Sequence, residues 1–210
     1  RDMTFEVLTP AQIAAGHKAD HILDTVKARP IDWNNIEDPK DKEVWDKLTE
    51  NFWLPEKVPL SNDVKSYNNL PEAEKKVMQN TYGMLTLLDT IQSTVGATAM
   101  VGDALTPHEE AVYSNIVFME SVHAKSYSSI FSTLCSKEEN DAIFEWTENN
   151  ELVQNLARIQ MNFYTDIDPI KRKIAGTMLE GYLFYTGFFT PFYMGSRNKL
   201  PLSLIHISEP

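Results

Sequence analysis

The stretch FMESVHAKSYSSIF, residues 118–131, constrains the fold of this 210-residue chain more than any other. Wound as a helix, its steps of three and four put Glu120, His123 and Tyr127 in one row, beside Ile116, Met119 and Ile130. An apolar helical face turns toward a core, so a carboxylate, an imidazole and a phenol are aimed inward. Two more acids share that situation. Asp89 lies in GMLTLLDTIQSTVG among Leu85, Leu88 and Ile91, and Glu180 lies in GTMLEGYLFYTGFF. Each alone has an ordinary explanation, an acid paired with a base or a hydrogen-bonded core histidine. Together they are costly, because burying an unpaired carboxylate takes several kcal/mol, comparable with the net stability of a whole domain. The runs around Asp89 and Glu180 hold no Lys or Arg at helical spacing, and Lys125 projects to a different face from Glu120. A bound cation would neutralise all three acids at once. An oxygen-rich site with an imidazole and no cysteine suits iron or manganese better than zinc.

The rest of the chain reads as helices that would carry such a site. Thr9-Pro10-Ala11-Gln12, Thr106-Pro107-His108-Glu109 and Ser136-Lys137-Glu138-Glu139 are helix starts of the capping-box type, and Asp168-Pro169 is a cap followed by proline. Apolar residues recur at three and four between these signals, as in the row Leu85, Leu88, Gln92, Val95, and strand-like alternation is nearly absent. The pattern predicts an all-α protein with long helices over roughly 72–98, 107–134, 137–163 and 169–190. Residues 30–70, with Trp33, Trp45 and Trp53 among many turn formers, read as short helices and loops laid over the bundle. The net charge of -11 comes without a dense Lys/Arg cluster, which argues against nucleic acid as a direct partner. The single cysteine, Cys135, forms no intrachain disulfide and reads as a packed residue. With no secretory signal in the charged first thirty residues, the expected location is the cytoplasm. The run from Ile174 to Ser196 is long enough to span a bilayer, but Gly181, Gly187, Pro191 and its Thr and Tyr residues favour a buried core helix and no membrane association.

Acids from separate helices combined with Glu-x-x-His are the pattern of ferritin-like two-metal bundles. Tyr127, one turn beyond His123, is either a core phenol bonded to a site carboxylate or a redox-active one. Phe184 and Phe188, at four and eight positions beyond Glu180, would wall the same cavity with inert rings. At these residues the chain resembles the small (β, radical-generating) subunit of class I ribonucleotide reductase, most closely class Ib. The resemblance runs from about Ile31 to Leu200. It is carried by DWNNIEDPKDKEVWDKLTENFWLPEKVPLSND, LTLLDT, DALTPHEEAVYSNIVFMESVHAKSYSSIFSTLC, DPIKRKIAGTMLEGYLFYTGFF and SRNKL.

The resemblance implies a ferritin-like bundle holding a dinuclear manganese or iron site. Asp89, Glu120 and His123 would ligate the first metal, with Glu120 bridging, and Glu180 the second. Tyr127 would be the tyrosine oxidised to a stable radical, and Trp53 the relay toward the large (α) subunit, where ribonucleotides are reduced. It further implies a homodimer and a flavodoxin-like activating protein that supplies the oxidant for manganese. The division it predicts is an extension at 1–29, a partial ferritin-like domain at 30–200 and a non-matching tail at 201–210. His206 and Glu209 in that tail are in the wrong order and spacing for the family's second Glu-x-x-His. Four of six expected ligands are then matched, and the chain is expected to be inactive by itself. Two other readings share the acids: a two-metal oxidase without radical transfer, and an inactive helical fragment.

Overall fold

The computed structural model describes residues 6–8 and 26–203. The Thr9–Gln12 helix start, most of segment 1–29, and His206 and Glu209 of the tail lie outside the described residues. Strands β1 (Glu6–Leu8) and β2 (Val26–Ala28) form a short parallel pair with Glu6 opposite Val26. At three residues each they are too short for alternation to reveal. Every regular element described after them is helical. Helix α1 (Pro39–Glu50) is followed by 3₁₀ turns at Pro55–Lys57 and Leu60–Asp63, then α2 (Val64–Asn68) and α3 (Glu72–Ile91). A π-helical turn at Gln92–Ala97 carries α3 into α4 (Thr98–Val101). Then come α5 (Pro107–Leu134), α6 (Lys137–Asn149), α7 (Glu151–Tyr164) and α8 (Pro169–Met178), and a second π-helical turn at Leu179–Leu183 leads into α9 (Phe184–Ser196).

The boundaries follow local chemistry. Thr106 Oγ1 accepts from the Glu109 backbone N–H at 3.0 Å, and the Glu109 carboxylate accepts in return from Leu105 N at 2.7 Å, which fixes the start of α5. Ser136 and Glu139 form the same reciprocal pair at α6. The single helix expected over 137–163 is broken at Asn150. Its side chain accepts from both Leu152 N and Val153 N, ending α6 and capping α7 with one residue. Neither π-helical turn was anticipated, because one extra residue per turn barely disturbs an apolar pattern.

Leu85 and Leu88 of α3, Ile130 and Phe131 of α5 and Leu179 are fully buried and form the centre of the core. Each such side chain contributes about 1.5–3 kcal/mol over its exposed state. Gly187 brings α9 tightly against α3, since a Cβ there would lie 2.6 Å from Leu85 Cδ2. The segment before α1 is clasped to the start of α5. His108 Nε2 donates to the Asp32 carbonyl at 2.9 Å, and its ring meets the edge of Trp33 at 4.8 Å. Arg172 of α8 forms a paired ion contact with Asp103, tying α8 to the α4–α5 loop.

The expected burial of the Ile174–Ser196 run holds on one side only. Phe184, Gly187, Thr190 and Met194 are buried, while Ile174, Met178, Tyr182, Tyr185 and Phe189 are exposed on the other side. Periodicity identified the apolar faces but not how many of them are covered. Among the described residues no helix is long and apolar enough to cross a membrane.

Candidate metal centre

Three elements aim acids at one point: α3 with Asp89, α5 with Glu120 and His123, and the π-helical turn after α8 with Glu180. The three-residue step on α5 brings His123 Nδ1 to 3.3 Å from Glu120 Oε2. One ligating atom from each of Asp89, Glu120 and His123 lies within 4.8 Å of the other two. Asp89 and Glu120 are buried. Asp89 Oδ2 and His123 Nε2 are buried and meet no hydrogen-bond partner among the described residues. Burial, then Glu120 and Glu180, pushes the Asp89 carboxyl well above the usual carboxylate range. Among the described residues no cation offsets these repulsions at Asp89; Lys125 pairs instead with Glu56, on the surface.

Glu180 differs from the expectation of an acid sealed in the core. It is exposed on the wall of a cavity of about 780 Å³ that Glu120, His123, Gln92, Tyr113 and Lys173 also line. Protein crowds its carboxyl on one side and the cavity opens on the other. The crowding, then Glu120, pushes it up to about 8, and the Gln92 amide opposes that rise. Water on the open side screens these effects in part. Three acids, one imidazole and two orphaned buried ligand atoms are what divalent cations of the manganese or iron kind would satisfy.

Tyr127 follows His123 by one turn and is buried. Burial, then Asp89, Tyr82 and Glu120, holds its phenol proton on more tightly than usual. Its ring packs on Tyr82, 5.7 Å away between centroids, a neighbour the sequence did not single out. Trp53 stacks beside His123, with centroids 6.3 Å apart and planes 24° from parallel. Phe184 and Phe188 stack on each other at 6.0 Å, Phe184 within and Phe188 against the core cluster that contains Tyr127. Cys135 is half-buried with Sγ 3.3 Å from the Tyr67 hydroxyl, and burial raises its thiol. Two further residues complete the site. Gln92 Nε2 donates to Glu180 Oε1 at 2.7 Å, and the Tyr164 hydroxyl donates to Gln92 Oε1 at 2.5 Å. Gln92 stood in the sequence as one more member of an apolar row, and its polarity there was the available signal.

Residues 30–208 match the family model described as ribonucleotide reductase, small chain. The chain belongs to this family. A β subunit of ribonucleoside-diphosphate reductase from Mycobacterium leprae is 59% identical over 179 residues, covering 85% of this chain and 54% of the relative. The β subunit of ribonucleoside-diphosphate reductase 2 from Escherichia coli is 55% identical over 170 residues, covering 81% and 53%. The crystal structure of the dimanganese(II) NrdF protein of Streptococcus sanguinis superposes with a TM-score of 0.84 at 50% identity, over 86% of this chain and 64% of that one. A Clostridium botulinum R2 subunit, at 22% identity and a TM-score of 0.78, shares the fold. The fold is therefore the ferritin-like helical bundle of the small chains. The chain spans about half the length of the curated relatives it matches.

Proposed function

We propose that this small chain serves as the radical-generating subunit of a ribonucleoside-diphosphate reductase. The observation that carries the reading is the convergence of Asp89, Glu120 and His123 ligand atoms within 4.8 Å, with buried Tyr127 one turn away. Asp89, Glu120 and His123 would hold one metal ion and Glu180 would serve the second, with Glu120 between them. Manganese is favoured by the dimanganese relative from S. sanguinis, and iron accepts the same ligand types. When bound, the metal pair supplies the one-electron oxidising power.

The chain's own residues do the rest. Tyr127 would give up one electron to the oxidant that the bound metal pair supplies and its phenol proton to the neighbouring Asp89 carboxylate, becoming a neutral radical. Its burial excludes water and small reductants, and the core cluster that contains it sets inert side chains such as Ile130, Phe131 and the Phe184–Phe188 stack around it, with Tyr82 the oxidisable neighbour on its ring. Trp53, beside His123, provides the exit for the oxidising equivalent toward a large subunit, where the ribonucleotide loses its 2′-hydroxyl. A homodimer and a flavodoxin-like activating protein complete the proposed assembly. The Trp53–His123 stack favours this reading over a two-metal oxidase without radical transfer, which has no use for an indole at that point.

The test is Tyr127→Phe, made in a protein of the curated relatives' full length that carries this segment. Phe keeps the ring and its packing and removes only the oxidisable hydroxyl. Metal content should stay at the wild-type level while the tyrosyl EPR signal and reduction of CDP by the complex with the large subunit disappear. An unchanged tyrosyl signal would move the radical to another tyrosine and overturn the role of Tyr127.

A further inference from the structure

We propose that Gln92 is a positioning residue for Glu180, and that Tyr164 sets which way the Gln92 amide points. The inference rests on the metal-centre reading above and adds a device within it.

Three groups from three elements form one line. Tyr164, at the end of α7, donates its hydroxyl to Gln92 Oε1 at 2.5 Å, and Gln92 Nε2 donates to Glu180 Oε1 at 2.7 Å. Gln92 and Tyr164 are almost wholly buried, so neither bond is an incidental surface contact. An amide has two chemically opposite ends. Turned the other way, Gln92 would set its oxygen against the Glu180 carboxylate, and two acceptors would face each other. A phenol donating to Oε1 removes that choice, and the NH₂ end is left facing Glu180.

The backbone is shaped for this line. Gln92 opens the first π-helical turn and Glu180 lies in the second, so each end of the Gln92–Glu180 bond lies on a locally widened helix. Such turns recur at functional sites, where they re-aim a side chain that a regular helix would direct elsewhere. Gly96 is the second adaptation. A Cβ there would lie 2.5 Å from Gln92 Oε1 and from the Tyr164 ring, so only a glycine lets phenol and amide meet. Glu180 needs such a tether because its carboxyl is on the open cavity wall, without the packing that confines Asp89 and Glu120. Holding it by one oxygen limits its swing and leaves the other oxygen free for a cation.

The experiment is Mn(II) binding to the full chain, followed by titration and by the Mn(II) EPR line shape, with thermal melting as a folding control. Gln92→Met keeps the length of the side chain and deletes both amide bonds. It is expected to weaken binding about 10- to 100-fold, the usual effect of removing a group that orients a metal ligand. Tyr164→Phe, which frees the amide to turn, should weaken it in the same direction by less. The decisive readout is non-additivity. If Gln92 acts through Glu180, then Gln92→Met combined with Glu180→Gln should bind no more weakly than Glu180→Gln alone. Losses that add in the double variant, or unchanged binding in both Gln92→Met and Tyr164→Phe, would overturn the inference. His123→Ala separates the two levels: if it too left binding unchanged, the metal-centre reading itself would fail.

Discussion

Replacing Asp89 by Asn should stabilise the metal-free protein, and by more as the pH rises. Asp89 is 3% exposed, one of its oxygens has no hydrogen-bond partner among the described residues, and Glu120 and Glu180 repel its charge. Its folded pKa therefore lies above the unfolded value near 3.8. The sign follows: the folded state holds a proton that the unfolded state releases. Wild-type stability is fully present below about pH 3.8 and declines as pH rises through the folded pKa. For one proton the slope is at most about 1.4 kcal/mol per pH unit. Asn has nearly the same shape and does not titrate. The difference between variant and wild type should then grow with pH at up to that slope, roughly 3–6 °C of Tm per pH unit for a chain of this size. Groups remote from Asp89 cancel in the comparison, while Glu120 and Glu180, which repel its charge, are relieved in the variant and add to the difference in the same direction. With Mn(II) present the order should reverse, because the wild type gains binding energy that the variant has lost with its ligand oxygen. The assay is thermal melting of both proteins at several pH values from 5 to 8, after chelation and again with Mn(II). A stability difference that stays flat or turns negative toward pH 8 without metal would refute the argument. So would equal Mn(II) protection of the two proteins.

Two further substitutions test the packing around the site. Tyr82 is fully buried and its hydroxyl meets no partner among the described residues, so Tyr82→Phe should raise stability by about 1 kcal/mol in a chemical denaturation series, and a loss would show that the hydroxyl is satisfied. Gly187→Ala should cost about 1–3 kcal/mol because its Cβ would press on Leu85, whereas Gly181→Ala, with open space around it, should stay within about 0.5 kcal/mol; equal effects would contradict the close approach of α9 to α3.

How much of this was legible in the sequence depended on whether the signal was local. The helix expected over 107–134 is α5, because the Thr106–Pro107 start writes its own cap into adjacent residues. The convergence of Asp89, Glu120 and His123 was also legible, since an acid on an apolar face needs a partner and none was available along its own helix. The break at Asn150 was hidden, because its polar neighbourhood fits an exposed helix face as well as a cap. Gln92 was hidden for a different reason. Its apolar row correctly predicts burial, but what a buried amide bonds to depends on Tyr164 and Glu180, 72 and 88 positions away. The exposure of Glu180 and of Tyr185 beside it was illegible in principle. Periodicity states which face is apolar and carries no information on what packs against it.

The most direct test of the account is anomalous diffraction at the manganese edge from crystals of the full chain grown with Mn(II). The account predicts a strong peak within bonding distance of Asp89, Glu120 and His123, with a second on the Glu180 side. Manganese bound only elsewhere on the surface, or an ordered Asp89–Glu120–His123 cluster without a peak, would contradict it.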